Sequence, residues 1–436
     1  MPRYLFRHHS ILKCVSGCAA LPVLRCGFLY MRETAAENWP TLTAYLVPLF
    51  RSKLAFGFTF RTTRLNIMLA INSPDAYRAP KHFEAEQKML FSNTWLFAAL
   101  RSEIGPENAY IRISLAGRDI LLRNHQGSIR AFANICSHRH AQLCNEKQGR
   151  GLIRCPYHGW VYNGDGIPIG VPSKEQFPAV VASPQSFRQP EFEVESIGEF
   201  VFVRFDKRNT TLKEHLGAGA QDFLIRVSGA AGHSLDTFSK DVSANWKVVI
   251  ENALEGYHVP VVHPRTLGSV EGMATDSDAI NENLESPRHS FMTTKADPAW
   301  LQKWDRKCRN IGIWPFRFNH YIHYFIFPNL TVTSFLGYSF HVQRFDPVSV
   351  ESTRVESRIL TSLFLEQNEV GHRTMEHIFK VAIDFTHRVF EEDTGICAKV
   401  QSGMHHATRQ AILADDYEKR IWHFQNAYRE QMGGVV

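Results

Sequence analysis

No run of apolar residues in this 436-residue chain is long enough to span a bilayer as a helix, which argues against an integral membrane protein of that kind. No G-x-G-x-x-G follows a strand-like run, so a built-in flavin or nicotinamide site is not expected. Internal repeats and low-complexity tracts are also missing. Cysteine is sparse, with eight residues scattered along the chain. Such usage excludes a secreted disulfide scaffold and fits a reducing compartment, with the cytoplasm as the expected location. The net charge of +6 does not amount to a nucleic-acid footprint. Residues 1–70 carry nine Lys/Arg against two Glu, a balance of +7, which leaves −1 for the rest.

What is present centres on Cys136 to His158. The stretch reads Cys136-Ser137-His138, then sixteen residues, then Cys155-Pro156-Tyr157-His158. Thiolates are soft ligands for iron–sulfur iron, and imidazoles are neutral ligands that raise its potential. Two of each suit a [2Fe–2S] cluster with one iron on Cys136 and Cys155 and the other on His138 and His158. The rival is a Cys2His2 zinc site. A zinc finger, however, pairs like with like and follows its second Cys with a helix. Here an apolar run, Gly159-Trp160-Val161-Tyr162, closes on the turn signals Asn163-Gly164 and Asp165-Gly166.

This stretch resembles the Rieske domain of the Rieske non-haem iron oxygenases, oxygenase component alpha subunit. Arg139 after His138, and the run Cys155-Pro156-Tyr157-His158-Gly159-Trp160, are similar to that family's two cluster loops. Tyr157 stands where respiratory Rieske proteins carry a disulfide cysteine, which leaves Cys144 as a spare thiol. His140 stands where the family usually has Gly.

The expected fold class is α+β: an all-β Rieske domain plus a catalytic domain with an antiparallel sheet flanked by helices. Residues 1–70 are basic and acid-poor, and are set aside as a poorly ordered extension. They read either as a transit peptide or as an over-extended start with Met31 or Met68 as the true beginning. Residues 71–93 read as an N-terminal helical segment of the catalytic domain. Residues 94–205 form the Rieske domain, with strand-like runs at 109–114, 119–123, 128–133 and 198–204. The catalytic domain spans 206–436, with strands expected at 320–327, 330–335, 338–344 and 352–360 and helix from Glu366 onward. Residues 270–310 look polar and irregular, as a surface section or lid.

A second centre lies in Asn245-Trp246-Lys247 through Glu251-Asn252, Glu255, Tyr257, His258, Pro260 and His263. Two His five residues apart would diverge by about 140° on a straight helix. Pro260 is expected to break or kink the helix between them, and a kink there can swing His263 back toward His258. Two imidazoles and a carboxylate with open positions make the facial triad of oxygen-activating Fe(II). Two ordinary histidines near a helix end are the competing reading. The run also resembles the family's mononuclear iron motif, matching at Glu255, His258 and His263. A distant acid must complete the set. On a wheel of about 100° per residue centred on Val389, Phe385, Ile396, Val400 and Asp393 share one stripe, Glu391 points away, and Glu392 sits at the edge. The resemblance likewise places the acid ligand at Asp393; a solvated helix acid is the alternative. Glu255, on the same helical face as His258, is implied by the resemblance to be catalytic, as the bridge from His258 to a cluster histidine, His138 or His158, of a neighbouring subunit. The alternative is an acid that only orients His258.

The resemblance implies a terminal oxygenase with two cofactors, a [2Fe–2S] cluster and mononuclear Fe(II). Its expected partners are a separate NAD(P)H-dependent reductase, with or without a ferredoxin. A homotrimer or an α3β3 assembly is implied, with no nucleic acid and no membrane. The substrate would be a small aromatic acid or methylated amine; Glu at position 255 is similar to the members that oxidise trimethylammonium compounds. Trp314, Phe316, Phe318, Tyr321, Tyr324, Phe325 and Phe327 form an aromatic-rich region that reads as sheet core or as a cation–π cage. Tyr257 is the single residue proposed to line the pocket. A non-catalytic Rieske electron-transfer or scaffold protein is the alternative function.

Overall fold

β-Branched and aromatic residues dominate two long stretches of the chain, and each stretch folds into its own seven-stranded antiparallel sheet. The computed structural model describes residues 68–206, 210–269, 280–283, 288–310, 320–363 and 369–434. Residues 1–67 of the expected extension, and Trp314, Phe316 and Phe318, lie outside them. Met68–Leu69 does not belong to an extension: it pairs as a strand with Leu413 and Ile412, and Ala70 behind it is buried.

The first sheet runs Leu96–Leu100, Phe200–Arg204, Glu191–Ile197, Ser128–Ala133, Arg118–His125, Ala109–Leu115, Gln148–Arg150. A three-stranded sheet, Ile153–Arg154, Val161–Tyr162 and Pro168–Gly170, carries the second cluster loop. The second large sheet runs Ala231–Val242, Ser352–Ser362, Ser339–Ser349, Leu330–Phe335, His320–Ile326, Ser290–Lys295, Ile280–Asn283. The described part of 270–310 is therefore not irregular, because strand Ser290–Lys295 is followed by helix Pro298–Asn310. Alternation splits the second sheet's faces. Tyr324, Ile326, Val332, Phe340 and Val342 pack with Phe97, Phe200 and Phe202 of the first sheet and with Phe223 of helix Leu212–Ser228. Tyr324, Phe325 and Phe327 of the aromatic region are buried as core.

The opposite face meets three helices: Trp246–Ala253, the long Glu369–Met404 and the C-terminal Lys419–Gln431. Asn245-Trp246-Lys247 fixes the first of them. Asn245 caps the helix, its Oδ1 accepting the Lys247 N–H at 3.0 Å. Trp246, fully buried, meets Phe91 edge-on at 5.1 Å and Phe424 at 5.7 Å. Lys247 is paired with Glu86, both side chains at 0% exposure. The Glu86 carboxylate also accepts Trp246 Nε1–H at 2.8 Å and Tyr428 O–H at 2.7 Å. One buried acid thus ties helix Pro80–Glu86 to the metal-site helix and the C-terminal helix. Burial pulls the Lys247 ammonium's pKa down, and Glu86 opposes that shift. A buried pair that loses one member leaves an uncompensated charge. Glu86→Ala is expected to cost about 3–5 kcal/mol, read from the denaturant midpoint by tryptophan fluorescence. A change under ~0.5 kcal/mol, the range of ordinary surface substitutions, would show that this knot does not hold the helices.

Candidate metal centres

The two cluster loops are backbone twins. In the first, Cys136 N–H donates to Ala141 O at 2.8 Å and His140 N–H to Cys136 O at 2.9 Å. In the second, Cys155 N–H donates to Trp160 O at 2.7 Å and Gly159 N–H to Cys155 O at 3.1 Å. The fifth residue of each loop is left-handed, His140 at φ 58° and Gly159 at φ 73°. His140 therefore adopts the conformation that glycine takes without strain, and the first loop keeps the shape of the second. Cys136 and Cys155 are buried at 1% and 2% exposure, with their thiols side by side. His158 is exposed and His138 half-buried, and their rings are 4.6 Å apart. His138 stacks flat on Trp160 at 5.1 Å. Burial, helped by His158 and Arg139, lowers the His138 pKa and keeps its ring neutral. Its Nδ1 is buried without a hydrogen-bond partner, as a ligand lone pair would be. Cys144 is a buried free thiol in the same core.

These four side chains do not gather on one point. Among the described residues the one group of three or more His, Cys, Asp or Glu that does so is His258, His263 and Asp393, whose ligand atoms lie within 4.8 Å of one another. Four ligands on a single tetrahedral zinc would sit that close. Ligands divided between two irons need not, so the arrangement fits the cluster better than zinc.

The triad is assembled by the end of a helix upstream of Pro260. Helix Trp246–Ala253 ends at Leu254, and Glu255-Gly256-Tyr257 turns the chain. His258 then caps a one-turn helix, Val259–Val262, and His263 closes it. Pro260 occupies the first turn of that helix, where its missing N–H costs nothing, so it does not kink a continuous helix. Glu255 lies in the turn rather than on a shared helical face. The two rings stand 5.2 Å apart. Asp393 Oδ1 is 3.0 Å from His263 Nε2 and 3.5 Å from His258 Nε2, and accepts Asn252 Nδ2–H at 2.8 Å.

The long helix runs unbroken through Gly395. Its buried stripe follows Phe390, Cys397 and Gln401, about one residue on from the expected Phe385, Val389, Ile396 and Val400; Val400 is 41% exposed. Asp393 keeps its place because it is three residues from Phe390 and four from Cys397. Glu391 points outward to Lys240.

Each His Nδ1 meets a second carboxylate. His258 Nδ1 bonds Glu255, whose other oxygen accepts the backbone N–H groups of Tyr257 and His258. His263 Nδ1 bonds Glu392 Oε2 at 2.7 Å, and Thr266 Oγ1–H donates to the same oxygen at 2.6 Å. This pins a proton on each Nδ1 and turns both Nε2 atoms toward Asp393, where each can carry a proton to that carboxylate or offer a lone pair to a metal, the arrangement of a carboxylate–histidine metal site. Burial drives the His258 pKa down, but hydrogen bonds to Asp393 and Glu255 more than offset it, raising it to about 9. His263 is raised for the same reasons. Burial raises Asp393, and hydrogen bonds from His258, His263 and Asn252 overcome that to hold it at about 2. Three carboxylates around two imidazoles call for a cation, so these residues fit Fe(II).

Tyr257 is 61% exposed and stacks on Tyr417 at 5.4 Å, so it lies at the surface. A cavity of roughly 630 Å³ opens beside Glu255 and Asn252, but none of the three triad residues lines it. Sequence reasoning missed Glu392 as a partner of His263, although the wheel put it at the edge of the right stripe. It also missed Tyr162, whose hydroxyl is 3.1 Å from Cys136 Sγ and accepts the Ser137 N–H at 2.9 Å; nothing in the sequence marked that tyrosine.

An iron–sulfur domain of Rieske type, joined to an antiparallel-sheet domain with a two-histidine, one-carboxylate centre, defines the class. The model for the Rieske [2Fe-2S] domain matches residues 94–187, and that for the catalytic domain of the ring hydroxylating alpha subunit matches 229–434. The chain belongs to the Rieske non-haem iron oxygenases, whose cofactors are a [2Fe–2S] cluster and mononuclear iron. It is similar to a carnitine monooxygenase oxygenase subunit of Acinetobacter pittii, 30% identical over 45% of this chain and 53% of that protein. A 2-halobenzoate 1,2-dioxygenase large subunit of Burkholderia cepacia is 32% identical over 45% of this chain and 44% of that one. The matches thus span about half the length of these relatives. A solved quaternary ammonium Rieske monooxygenase, described for carnitine oxidation and inter-subunit electron transfer, shares the fold at TM-score 0.69 and 20% identity, covering 84% of this chain and 96% of its own.

Two outcomes test the supports of these centres. Glu392→Ala should weaken Fe(II) binding about 10–100-fold while leaving the cluster absorbance intact, measured as iron retained against a chelator; unchanged retention would remove Glu392 from the site. Tyr162→Phe deletes a hydrogen bond that favours the more negative, reduced cluster. Its potential should drop by several tens of millivolts, at about 59 mV per tenfold in equilibrium, in protein-film voltammetry. A rise or no change would contradict the donor role.

Proposed function

We propose that this chain is the terminal oxygenase component of a multicomponent system. It would hydroxylate, dihydroxylate or demethylate a small organic substrate, an aromatic acid or a methylated amine. The observation that carries the reading is the convergence of His258, His263 and Asp393 on one point. A protein that only relayed electrons or served as a scaffold would have no use for that convergence, or for the carboxylates that orient it. When bound, the cluster supplies single electrons and the mononuclear iron supplies dioxygen activation.

In this reading Cys136, Cys155, His138 and His158 hold the cluster, and His258, His263 and Asp393 hold the iron. The residues' own work is orientation. Glu255 and Glu392 keep a proton on each Nδ1, so each Nε2 lone pair is presented inward. Asn252 steadies Asp393 through its amide. Glu255 Oε2 already accepts two backbone N–H groups, but Oε1 meets only His258 and can accept one more, so Glu255 is the residue proposed to reach a cluster histidine of a neighbouring copy. A homotrimer or an α3β3 assembly would supply that neighbouring copy. The relative named for inter-subunit electron transfer supports this reading, as the carnitine and 2-halobenzoate relatives support the substrate classes. Electrons would come from an NAD(P)H-dependent reductase, directly or through a ferredoxin, in the reducing cytoplasm. Among the described residues no helix is long and apolar enough to cross a membrane.

Asp393→Ala should keep the cluster's colour and lose turnover by at least about 100-fold, the scale of losing an essential catalytic group. Turnover with a surrogate reductase, tested on aromatic acids and methylated amines, is the measurement. A variant that retained both colour and turnover would take Asp393 out of the ligand set.

A further inference from the structure

Helix Trp246–Ala253 and the long helix Glu369–Met404 pack on each other, and hydrogen bonds join them at two points. Near one end, Asn252 Nδ2–H donates to Asp393 Oδ1 at 2.8 Å. At the other, Gln401 Oε1 accepts the N–H of Asn245, the cap of the shorter helix, at 2.9 Å. Between the joints lie seven residue steps on one helix, 245 to 252, and eight on the other, 393 to 401. At about 1.5 Å per residue these are about 10.5 and 12 Å. The spacings match, and the order is reversed, so both joints close together only when the two helices are antiparallel and in one register.

Gln401 is 4% exposed, and both ends of its amide are used. Its Nε2–H donates to Tyr77 O at 3.1 Å, in the short helix Asp75–Arg78. A backbone N–H can only donate and a carbonyl only accept, so these two partners fix which way the amide faces. The next residue of that short helix grips the end of the long one, where Arg78 Nη1–H donates to Met404 O at 2.6 Å and to His405 O at 2.9 Å. Among the described residues, the side chains of 390–404 that bond another element are Glu391, Glu392, Asp393 and Gln401. Glu391 pairs at the surface, and Glu392 and Asp393 belong to the metal site itself. Phe390 and Cys397 are buried, but apolar packing has no direction. Gln401 is therefore the buried, directional hold on this stretch that does not depend on the ligands. A side-chain tip lies about 5–6 Å from its helix axis, so a turn of about 10° would carry the Asp393 carboxylate about 1 Å. Metal–ligand distances hold to within about 0.2 Å, so a displacement of that size weakens the site.

We propose that Gln401 is a positioning residue for the oxygenase: its amide locks the long helix to the cap of the metal-site helix, and so sets the point at which Asp393 meets His258 and His263. This rests on the oxygenase reading, in which Asp393 holds the iron. It adds a residue outside the ligand set and its carboxylate supports. Gln401 bonds none of the three ligands and acts on them only through the two helices it joins.

The test measures Fe(II) retained by the cluster-containing full chain against a chelator, under anaerobic conditions. Gln401→Leu removes both bonds at similar volume. It should weaken Fe(II) binding about tenfold or more, the scale for groups that orient metal ligands, with the cluster absorbance unchanged. Gln401→Glu keeps the shape and an acceptor for the Asn245 N–H, and should lose less than Gln401→Leu. Val332→Ala, buried on the opposite face of the second sheet, controls for lost stability alone and should retain iron as the wild type does. Wild-type retention in Gln401→Leu, or an equal loss in Val332→Ala, overturns the inference. If Gln401→Leu does not fold, as judged by circular dichroism and cluster absorbance, Gln401→Glu decides: a partial loss supports the inference and wild-type retention overturns it. A wild-type chain that held no iron beyond the cluster's own would instead sink the oxygenase reading, and this inference with it.

Discussion

The buried carboxylate of Glu86 is the constraint on which the geometry of the metal site depends. It accepts from Trp246, Lys247 and Tyr428, so three helices share one fully buried anchor. An ionised acid in such a place is tolerable only when its lone pairs and its charge are both answered. The answer comes from two consecutive residues at the start of the metal-site helix and one on the C-terminal helix. Rotating or sliding the metal-site helix would unpair the acid. The helix therefore arrives at Leu254 in one orientation, and the turn after it can deliver His258 and His263 to a fixed point.

From that turn outward, each ligand is held by a second group rather than by its own rotamer preference. Glu255 fixes His258, Glu392 with Thr266 fixes His263, and Asn252 fixes Asp393. Asn252 is six residues before His258, and Glu392 adjoins Asp393. Glu255 supports its own segment, but Asn252 holds Asp393 and Glu392 holds His263 across the two segments, so the supports lock the turn and the long helix to each other. The Rieske loops follow a similar rule with backbone in place of carboxylates. Twin hydrogen-bond patterns and a left-handed fifth residue set both loops, while Tyr162 and Trp160 flank the cysteine and histidine of the first.

Local chemistry was legible in the sequence, and tertiary placement was not. The Cys136-x-His138 and Cys155-x-x-His158 spacing pointed to a [2Fe–2S] cluster because ligand type and order are chemical properties of the residues themselves, and the Rieske domain match agrees. Alternating strands such as Leu330–Phe335 were readable because one face is buried against Phe223 and the first sheet. The mechanism of His convergence was misassigned to Pro260. A proline can break a helix or begin one, and only the position of the preceding turn, set by Gly256 and the end of helix Trp246–Ala253, decides which. Strand Ser290–Lys295 was missed because its pairing with His320–Ile326 is long-range and its own residues are polar. The stripe on the long helix was misjudged by about one position, since burial there depends on which strand the helix lies over. Phe390 meets Phe238, and that contact cannot be read from the helix alone.

The electrostatics of the triad connect fold to function. Glu255, Glu392 and Asp393 place three negative charges around two imidazoles. That field raises His258 to about 9, so protons compete for the same ring. A divalent ion there would relieve the carboxylates more fully than a proton, since His258, His263 and Asp393 could all hold it.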